Sequence, residues 1–389
     1  MSGKLVEHRI PLSEPDLSGN ELAYLRECVE SNWVSSAGPF VNKFEQSFSA
    51  LHDGAAAVAM VSGTAALHIA LLVAGIRPGQ EVLVSTLSFI APANAIRYVG
   101  AHPVFVDADE ATWQMDIGLV EKFLRDGCEL RAGGLVNKSS GREVAALLPV
   151  HILGHPVDMA AISKLGREFG LKIVEDATES LGATCAGTRV GMIGDVGSFS
   201  FNGNKLLTTG GGGMVLTSNP EMADMARYLS SQAKDDPIES RHGQIGYNYR
   251  MTNIAAALGE AQLEGFEGRL KKKKKIAERY QTAFDEIDGV SFMPSADWAG
   301  HAYWLSSVRV EKRGRAEREA LRGYFAEAGV EVRPLWQPLH LSAAHCGAET
   351  LGGELAEGLQ DEILCLPSSV TLSDENQDRV VSLMSGFFA

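Results

Sequence analysis

Short apolar runs alternate with helix-like segments through the first half of the chain, and this alternation constrains the fold more than any other feature of the sequence. Runs of small apolar and β-branched residues, typical of buried strands, cover 55–62, 81–86, 102–108, 145–152 and 172–177. Helix-like segments lie between them at 64–75, 89–100 and 158–170. Regular succession of strand and helix predicts an α/β fold, in which helices cover a parallel sheet on both faces.

A long helical region, mostly free of Gly and Pro, follows the alternating part of the chain. Beyond it, 304–311 predicts a strand, 315–329 a helix, and 373–388 a terminal helix that begins at a serine cap. We therefore predict two domains. Residues 1–265 form a large α/β domain with an N-terminal arm, and residues 266–389 form a smaller α+β domain.

The charge and composition argue against several classes of protein. The net charge is −14, whereas nucleic-acid binders usually present a basic face. The one basic run, Lys271–Lys275, lies between helix-like segments and is interpreted as a solvated helix face. No apolar stretch reaches the ~18 residues of a membrane span. The first residues lack the apolar region of a secretion signal, and five scattered cysteines without a C-x-x-C pair favour a reducing compartment. We expect a cytoplasmic protein that binds neither nucleic acid nor membrane.

Two segments place polar groups where α/β folds bind ligands. Ser62, Gly63 and Thr64 stand where a predicted strand turns into a helix, and free N–H groups at a helix N-terminus attract a phosphate. Asp176 ends the strand 172–177, at the sheet edge where such folds hold their ligands. Each feature has a simpler explanation, a capped helix start for the first and a helix-capping acid for the second.

The segment Gly197–Lys205, followed by four consecutive glycines at 210–213, carries the strongest signal. Desolvation of a lysine in such a segment lowers the pKa of its ammonium group and frees the amine as a nucleophile. A surface lysine is the usual alternative. Four glycines are costly in entropy, however, unless the backbone passes close to another group. A further polar and aromatic segment, 246–251, is typical of a loop.

In order and spacing, these segments resemble the DegT/DnrJ/EryC1/StrS sugar aminotransferases, over nearly the whole chain from 19–45 through 333–341. The resemblance implies the fold type I architecture of pyridoxal-phosphate (PLP) enzymes, with a mostly parallel seven-stranded sheet. The FSFNGNK form at 199–205 is most similar to the branch that makes 4-amino-4,6-dideoxy sugars for bacillosamine and legionaminic acid. It is less similar to GDP-perosamine synthases.

The resemblance assigns catalytic and ring-binding roles to four residues. Lys205 is implied to hold the cofactor as a Schiff base and to move the proton during amino transfer. Relatives that remove a sugar hydroxyl instead carry His at this position. Asp176 is implied to face the pyridine nitrogen and Glu179 the ring hydroxyl, while Phe89 stacks on the ring.

The resemblance also implies a phosphate site and a homodimer. Gly63, Thr64 and Ser200 match phosphate-binding positions, and Asn248 matches a residue that reaches the phosphate from the neighbouring subunit. The two active sites would therefore be shared between subunits. The sugar nucleotide is expected to contact Trp33, Ser35, Ser36, Arg250, Arg333, Trp336 and His340. His151 and His155 are four residues apart but lack an acidic or cysteine partner, so no metal site is predicted.

The predicted activity is transfer of the amino group of L-glutamate to C4 of a UDP-linked 4-keto-6-deoxy-2-acetamido hexose, for surface glycan synthesis. A GDP-perosamine synthase is the alternative within enzymes. A PLP-binding regulator without turnover is the alternative outside them, and retention of both Lys205 and Asp176 argues against it.

Overall fold

The computed structural model describes residues 9–236, 238–311 and 314–389. Its helices are α1 (Glu21–Glu30), α2 (Pro39–Leu51), α3 (Gly63–Val73), α4 (Ala91–Tyr98), α5 (Ile117–Lys122), α6 (Met159–Phe169), α7 (Pro220–Ser230), α8 (Asn253–Glu264), α9 (Phe266–Phe284), α10 (Arg315–Glu327), α11 (Glu354–Glu362) and α12 (Asp374–Phe388). Its strands are β1 (Ala56–Met60), β2 (Glu81–Ser85), β3 (His102–Val106), β4 (Cys128–Arg131), β5 (Gly134–Asn137), β6 (Val144–Leu148), β7 (Lys172–Asp176), β8 (Thr184–Cys185), β9 (Thr188–Arg189), β10 (Val196–Ser200), β11 (Gly213–Thr217), β12 (Lys234–Asp236), β13 (Arg241–His242), β14 (Val290–Phe292), β15 (Ala299–Gly300), β16 (Ser307–Val310), β17 (Arg333–Pro334), β18 (Thr350–Leu351) and β19 (Ile363–Cys365).

The central sheet has the strand order β1-β11-β10-β7-β6-β2-β3-β18. The pairs from β10 to β18 are parallel, while β11 runs antiparallel to both of its neighbours. All five strands predicted from the sequence are in this sheet, which confirms the α/β fold class. Seven of the eight strands of this sheet lie within residues 1–265, as the resemblance implied. The eighth, β18, has two residues and comes from the C-terminal part of the chain.

Both faces of the sheet are covered by helices, which explains its apolar strands. Every residue of β2 and of β11 is buried. Eight of the eleven residues of α3 are buried as well, so this helix is enclosed rather than amphipathic. On the opposite face, Phe44 and Phe48 of α2 pack edge-on against Phe201 and Phe199 of the β10 region. Since side chains alternate along a strand, Ser200 points to the α3 side.

A second, antiparallel sheet, β14-β16-β19-β17, forms the core of the C-terminal part with α9, α10 and α12. Helix α8 ends and α9 begins on either side of Gly265, at the break chosen as the domain boundary. Ile10 of the N-terminal segment donates its N–H to the carbonyl of Gly329 at 3.0 Å, which attaches this segment to the C-terminal part. The division into two domains at 265 stays a prediction.

The interpretation of Lys271–Lys275 as a solvated helix face is wrong at its central residue. Lys273 has only 2% of its surface exposed, whereas Lys271 and Lys275 are exposed. The buried residues Lys273, Ile276, Ala277 and Tyr280 follow the i, i+3, i+4, i+7 spacing of one helix face. The inward face of α9 therefore runs through the middle of the lysine run.

None of the helices in the described residues is both long and apolar enough to cross a membrane.

Candidate active site

A cavity of about 330 Å³ lies where the carboxyl ends of β7 and β10 meet the N-terminus of α3. Its volume falls within the range of small-molecule binding sites. The C-terminal part of the chain closes it through Trp304, Arg333 and Trp336. A larger cleft of about 440 Å³ lies at the amino ends of β2 and β3, lined by Arg97 and Arg142 among others. Ligands of α/β sheets bind at the carboxyl ends of the strands, so the smaller cavity is the candidate site.

Lys205 projects into this cavity from the turn that follows β10. Its Nζ lies 3.5 Å from Oε1 of Glu179 and 3.8 Å from the ring centre of Trp304. Only 13% of the side chain is exposed. Burial lowers the pKa of Lys205, because a charged ammonium is poorly solvated there, and the negative charges of Glu179 and Asp176 oppose this effect. The site therefore favours a more reactive amine than an ordinary surface lysine.

Two buried carboxyl groups face Lys205. Asp176 ends β7 and accepts the N–H of Thr178 at 3.0 Å. Glu179 accepts the N–H of Leu153 at 3.0 Å with the oxygen that does not face the lysine. Leu153 has a left-handed backbone (φ 59°), and this hydrogen bond helps to hold it there. Burial raises the pKa of both carboxyl groups, and the charge of Lys205 opposes the rise.

The opposite end of the cavity is formed by the start of α3. Ser62 caps the helix by accepting the N–H of Ala65 at 3.1 Å, which leaves the first N–H groups of the helix for a ligand. A Cβ atom at Gly63 would lie 2.7 Å from the Cβ of Ser200, so only glycine allows this close approach. The glycine run contributes in the same way. A Cβ at Gly213 would lie 2.4 Å from the carbonyl oxygen of Ser62.

A model of the DegT/DnrJ/EryC1/StrS aminotransferase family matches residues 15–385. The chain belongs to this family. It is 37% identical over 380 residues to GDP-perosamine synthase of Escherichia coli O157:H7, which covers 98% of this chain and 99% of that protein. The aminotransferase TlmJ from Streptoalloteichus hindustanus has a TM-score of 0.87 at 31% identity, covering 97% of this chain and 98% of that chain. The PLP form of Spr1654 from Streptococcus pneumoniae has a TM-score of 0.86 at 26% identity, covering 98% of this chain and 100% of that chain.

The fold and the family together identify this member of the DegT/DnrJ/EryC1/StrS family as a PLP-dependent sugar aminotransferase of fold type I. Both the cofactor and the class of reaction expected from the sequence are confirmed. The roles of the individual residues stay predictions, and the structure shows where each residue lies. The cavity brings together nine of the predicted residues, namely Gly63, Thr64, Phe89, Asp176, Glu179, Ser200, Lys205, Arg333 and Trp336.

Four of the predicted residues lie outside the cavity on exposed segments. Trp33, with 49% of its surface exposed, Ser35 and Ser36 stand in the segment between α1 and α2. Asn253 holds this segment through hydrogen bonds to the carbonyl oxygens of Trp33, at 2.9 Å, and Ser35, at 2.6 Å. Asn248 is also exposed. A contact between these residues and a neighbouring subunit's site stays a prediction.

Arg250 and His340, both predicted to bind the sugar nucleotide, have protein partners instead of a place in the cavity. Arg250 Nη1 lies 2.9 Å from Oε1 of Glu45. His340 contacts the hydroxyl of Thr86 at 2.7 Å through Nδ1 and the carboxylate of Glu357 at 3.1 Å through Nε2. Their binding of the sugar nucleotide stays a prediction.

His151 and His155 are likewise engaged by protein groups. The N–H of Val157 donates to Nδ1 of His151 at 3.0 Å, so its Nε2 donates to Glu175 at 3.1 Å. The N–H of Ala296 donates to Nε2 of His155 at 3.0 Å. Within the three described stretches, no group of three or more candidate metal ligands is found.

Trp304 is the main cavity residue that was not predicted from the sequence. It is 5% exposed, and its indole N–H donates to the carbonyl of Asn204 at 2.8 Å. Its ring lies parallel to that of Trp336, with centres 6.3 Å apart. The segment 304–311 predicted a strand, and nothing local in it indicates a contact with a lysine 99 positions earlier. The one link visible in the sequence is indirect, because Asn204, which accepts the indole N–H, directly precedes Lys205 in the motif at 199–205.

Proposed function

We propose that this chain transfers the amino group of L-glutamate to C4 of a nucleotide-linked 4-keto-6-deoxy hexose. The product is a 4-amino-4,6-dideoxy sugar for surface glycan synthesis. The supporting observation is the buried Lys205 amine, 3.5 Å from Glu179 and close to Asp176, in a cavity bounded by the N-terminus of α3. A lysine at this position, where dehydrating relatives carry His, supports amino transfer.

The residues present fit PLP. The close approach of Gly63 to Ser200 leaves N–H and hydroxyl donors at the helix start, suited to the cofactor's phosphate. Asp176, with the N–H of Thr178 as a partner, has a lone pair free for the pyridine nitrogen. Glu179 would contact the ring hydroxyl, and Phe89 would lie against the ring. When bound, PLP supplies an electron sink for the carbon that loses its proton.

Lys205 is then the group that carries the proton. In the first half-reaction its amine would take the α-proton of L-glutamate and pass a proton to the bound cofactor. In the second it would take that proton back and give it to C4 of the sugar. A group that both takes and gives a proton works best with a pKa near the operating pH. The burial that lowers the pKa of Lys205 acts in this direction.

Two sugars are candidates for the acceptor. The resemblance of the motif at 199–205 to the branch that uses UDP-linked 2-acetamido sugars favours a UDP-linked acceptor as the first candidate. Three relatives that are 33–37% identical, from E. coli, Caulobacter vibrioides and Vibrio cholerae, are named GDP-perosamine synthase, and they favour the GDP-linked 4-keto-6-deoxymannose as the second candidate.

Turnover of each keto sugar with ¹⁵N-labelled L-glutamate tests the proposal. Mass spectrometry should detect labelled 4-amino sugar from one acceptor, and the nucleotide of that acceptor decides between the candidates. A Lys205→Arg variant is the matched control, because it retains the charge without a usable base. Labelled product from neither sugar, or an equal yield from the variant, would contradict the proposal.

We further propose that the protein acts in the cytoplasm as a homodimer in which Asn248 reaches the neighbouring subunit's phosphate site. The exposure of Asn248, outside the cavity of its own chain, supports this arrangement.

A further inference from the structure

Lys273, the central residue of the lysine run, lies outside the lining of the active-site cavity. Its ammonium group is enclosed, and it donates to the carbonyl oxygen of Trp304 at 2.7 Å and to the carbonyl oxygen of Ser368. Burial lowers the pKa of Lys273 to about 7. Burial of an ammonium group is costly unless hydrogen bonds compensate for the lost water, and the two carbonyl oxygens supply those bonds.

The segment that Lys273 holds is the one that faces Lys205. The N–H of Ser306 donates to the hydroxyl of Ser368 at 2.8 Å, and the N–H of Leu366 donates to the carbonyl of Ser306 at 2.8 Å. Lys273 joins these two neighbouring segments to α9. Trp304 is thus fixed at its backbone by Lys273 and at its indole N–H by Asn204.

The fixed ring of Trp304 contacts the amine of Lys205, so its position affects that amine. A cation is attracted to the face of an indole ring, and the attraction strengthens where water is excluded. The ring therefore gives the Lys205 amine a defined resting position opposite Glu179. That position matters whenever the amine is free of the cofactor, which is when it must move a proton.

We propose that Lys273 is a positioning residue for the reaction: it holds Trp304 so that the indole packs against the free amine of Lys205. This inference rests on the proposed role of Lys205. The groups that face the amine are Glu179, Asp176 and the Trp304 ring, with Arg333 also lining the cavity.

The test measures the free amine directly. Full-length protein freed of cofactor is mixed with PLP across a range of pH. The absorbance change that accompanies attack of the amine on the aldehyde carbon, with loss of water, is followed in time. The pH midpoint of its rate reports the pKa of the attacking amine. Trp304→Leu removes the ring face, so its midpoint is expected to fall by about one pH unit.

If Lys273 acts through Trp304, then Lys273→Met lowers the midpoint in the same direction, and the double variant shifts no further than Trp304→Leu alone. Lys273→Gln, whose shorter side chain keeps N–H donors, gives a smaller shift and serves if the Met variant does not fold. Lys271→Met, an exposed change in the same run, leaves the midpoint unchanged.

An unshifted midpoint in the Lys273 variants, or additive shifts in the double variant, overturns the inference while leaving the proposed function intact. The Lys205→Ala variant distinguishes a failure of the Lys273 inference from a failure of the proposed role of Lys205. If it gives the same absorbance change as the unmodified protein, the role of Lys205 and the inference built on it are both wrong.

Discussion

At the scale of single residues, the reactivity of the site depends on the pKa of the Lys205 amine, which burial and nearby charges shift in opposite directions. Burial lowers the pKa of Lys205, and the carboxylates of Glu179 and Asp176 raise it. Glu179 is the nearer partner, at 3.5 Å. Its second oxygen is committed to the N–H of Leu153, so the carboxylate is held in place.

Glu179→Gln should therefore move the pH dependence of turnover. Removing the negative charge removes a cause that raises the pKa of Lys205, so this pKa falls further and a larger fraction of the amine is free at a given pH. The acid limb of the profile of kcat against pH is expected to move about one unit toward lower pH.

Glu267→Gln, on the surface opposite Arg189, should leave the same limb unchanged. A Glu179→Gln profile that is unshifted or moves to higher pH would show that this carboxylate does not control the lysine.

At the scale of elements, the site is assembled by close contact between α3 and the end of β10. Gly63 is the point of closest approach, since its hydrogen faces the side chain of Ser200. The capping hydroxyl of Ser62 fixes the first turn of the helix, and the glycine run brings β11 against the same turn.

Gly63→Ala should weaken PLP binding at least about tenfold, because the added Cβ forces the helix start away from Ser200 by several tenths of an ångström or more. Titration of the cofactor-free protein with PLP measures the Kd. Gly268→Ala is the matched control. It lies in α9 with nothing within 4 Å of an added Cβ, so it should leave the Kd unchanged and stabilise the protein by about 0.5–1 kcal/mol. Equal Kd values for the two variants would show that the close approach of Gly63 to Ser200 does not control PLP binding.

The sequence predicted those elements whose formation depends on local pattern. Contiguous apolar or amphipathic runs set the five predicted strands, β1, β2, β3, β6 and β7, and helices such as α3 and α6. Strands β10 and β11 were not predicted, because the glycines around them weaken the pattern. Strand β18 is too short to have one. The burial of Lys273 depends on the phase of α9 against distant segments, which composition alone does not reveal.

The active site, too, could be predicted only where its residues stand in local motifs. Lys205, Asp176 and Thr64 stand in motifs whose order is visible in the sequence. The contact of Trp304 with Lys205 joins residues far apart in the chain, and the partners of Arg250 and His340 come from tertiary packing.

At the scale of the whole molecule, the exposed positions of Asn248, Trp33 and their neighbours lead to the proposed homodimer. If the sites are shared, each site takes Lys205 from one subunit and Asn248 from the other. Lys205→Ala and Asn248→Ala then inactivate a site through different subunits. After the two inactive variants are mixed and allowed to exchange subunits, half of the dimers are mixed, and each of these has one intact site.

The recovered activity should then approach about a quarter of the unmodified protein's specific activity. The two variants, each assayed alone after the same exchange treatment, give the baseline. Dimers that exchange subunits, as followed by native mass spectrometry, without any gain in activity would show that each site is complete within one chain.

The proposed function requires Lys205 to be the residue that bonds the cofactor. Reduction of the PLP-loaded protein with borohydride converts that bond into a stable one, and peptide mass spectrometry then locates it. We expect a single pyridoxyl-phosphate label on the peptide that contains Lys205, and we expect this label to be lost in Lys205→Ala. A label on another lysine, including the buried Lys273 with its pKa of about 7, or no label at all, would contradict it.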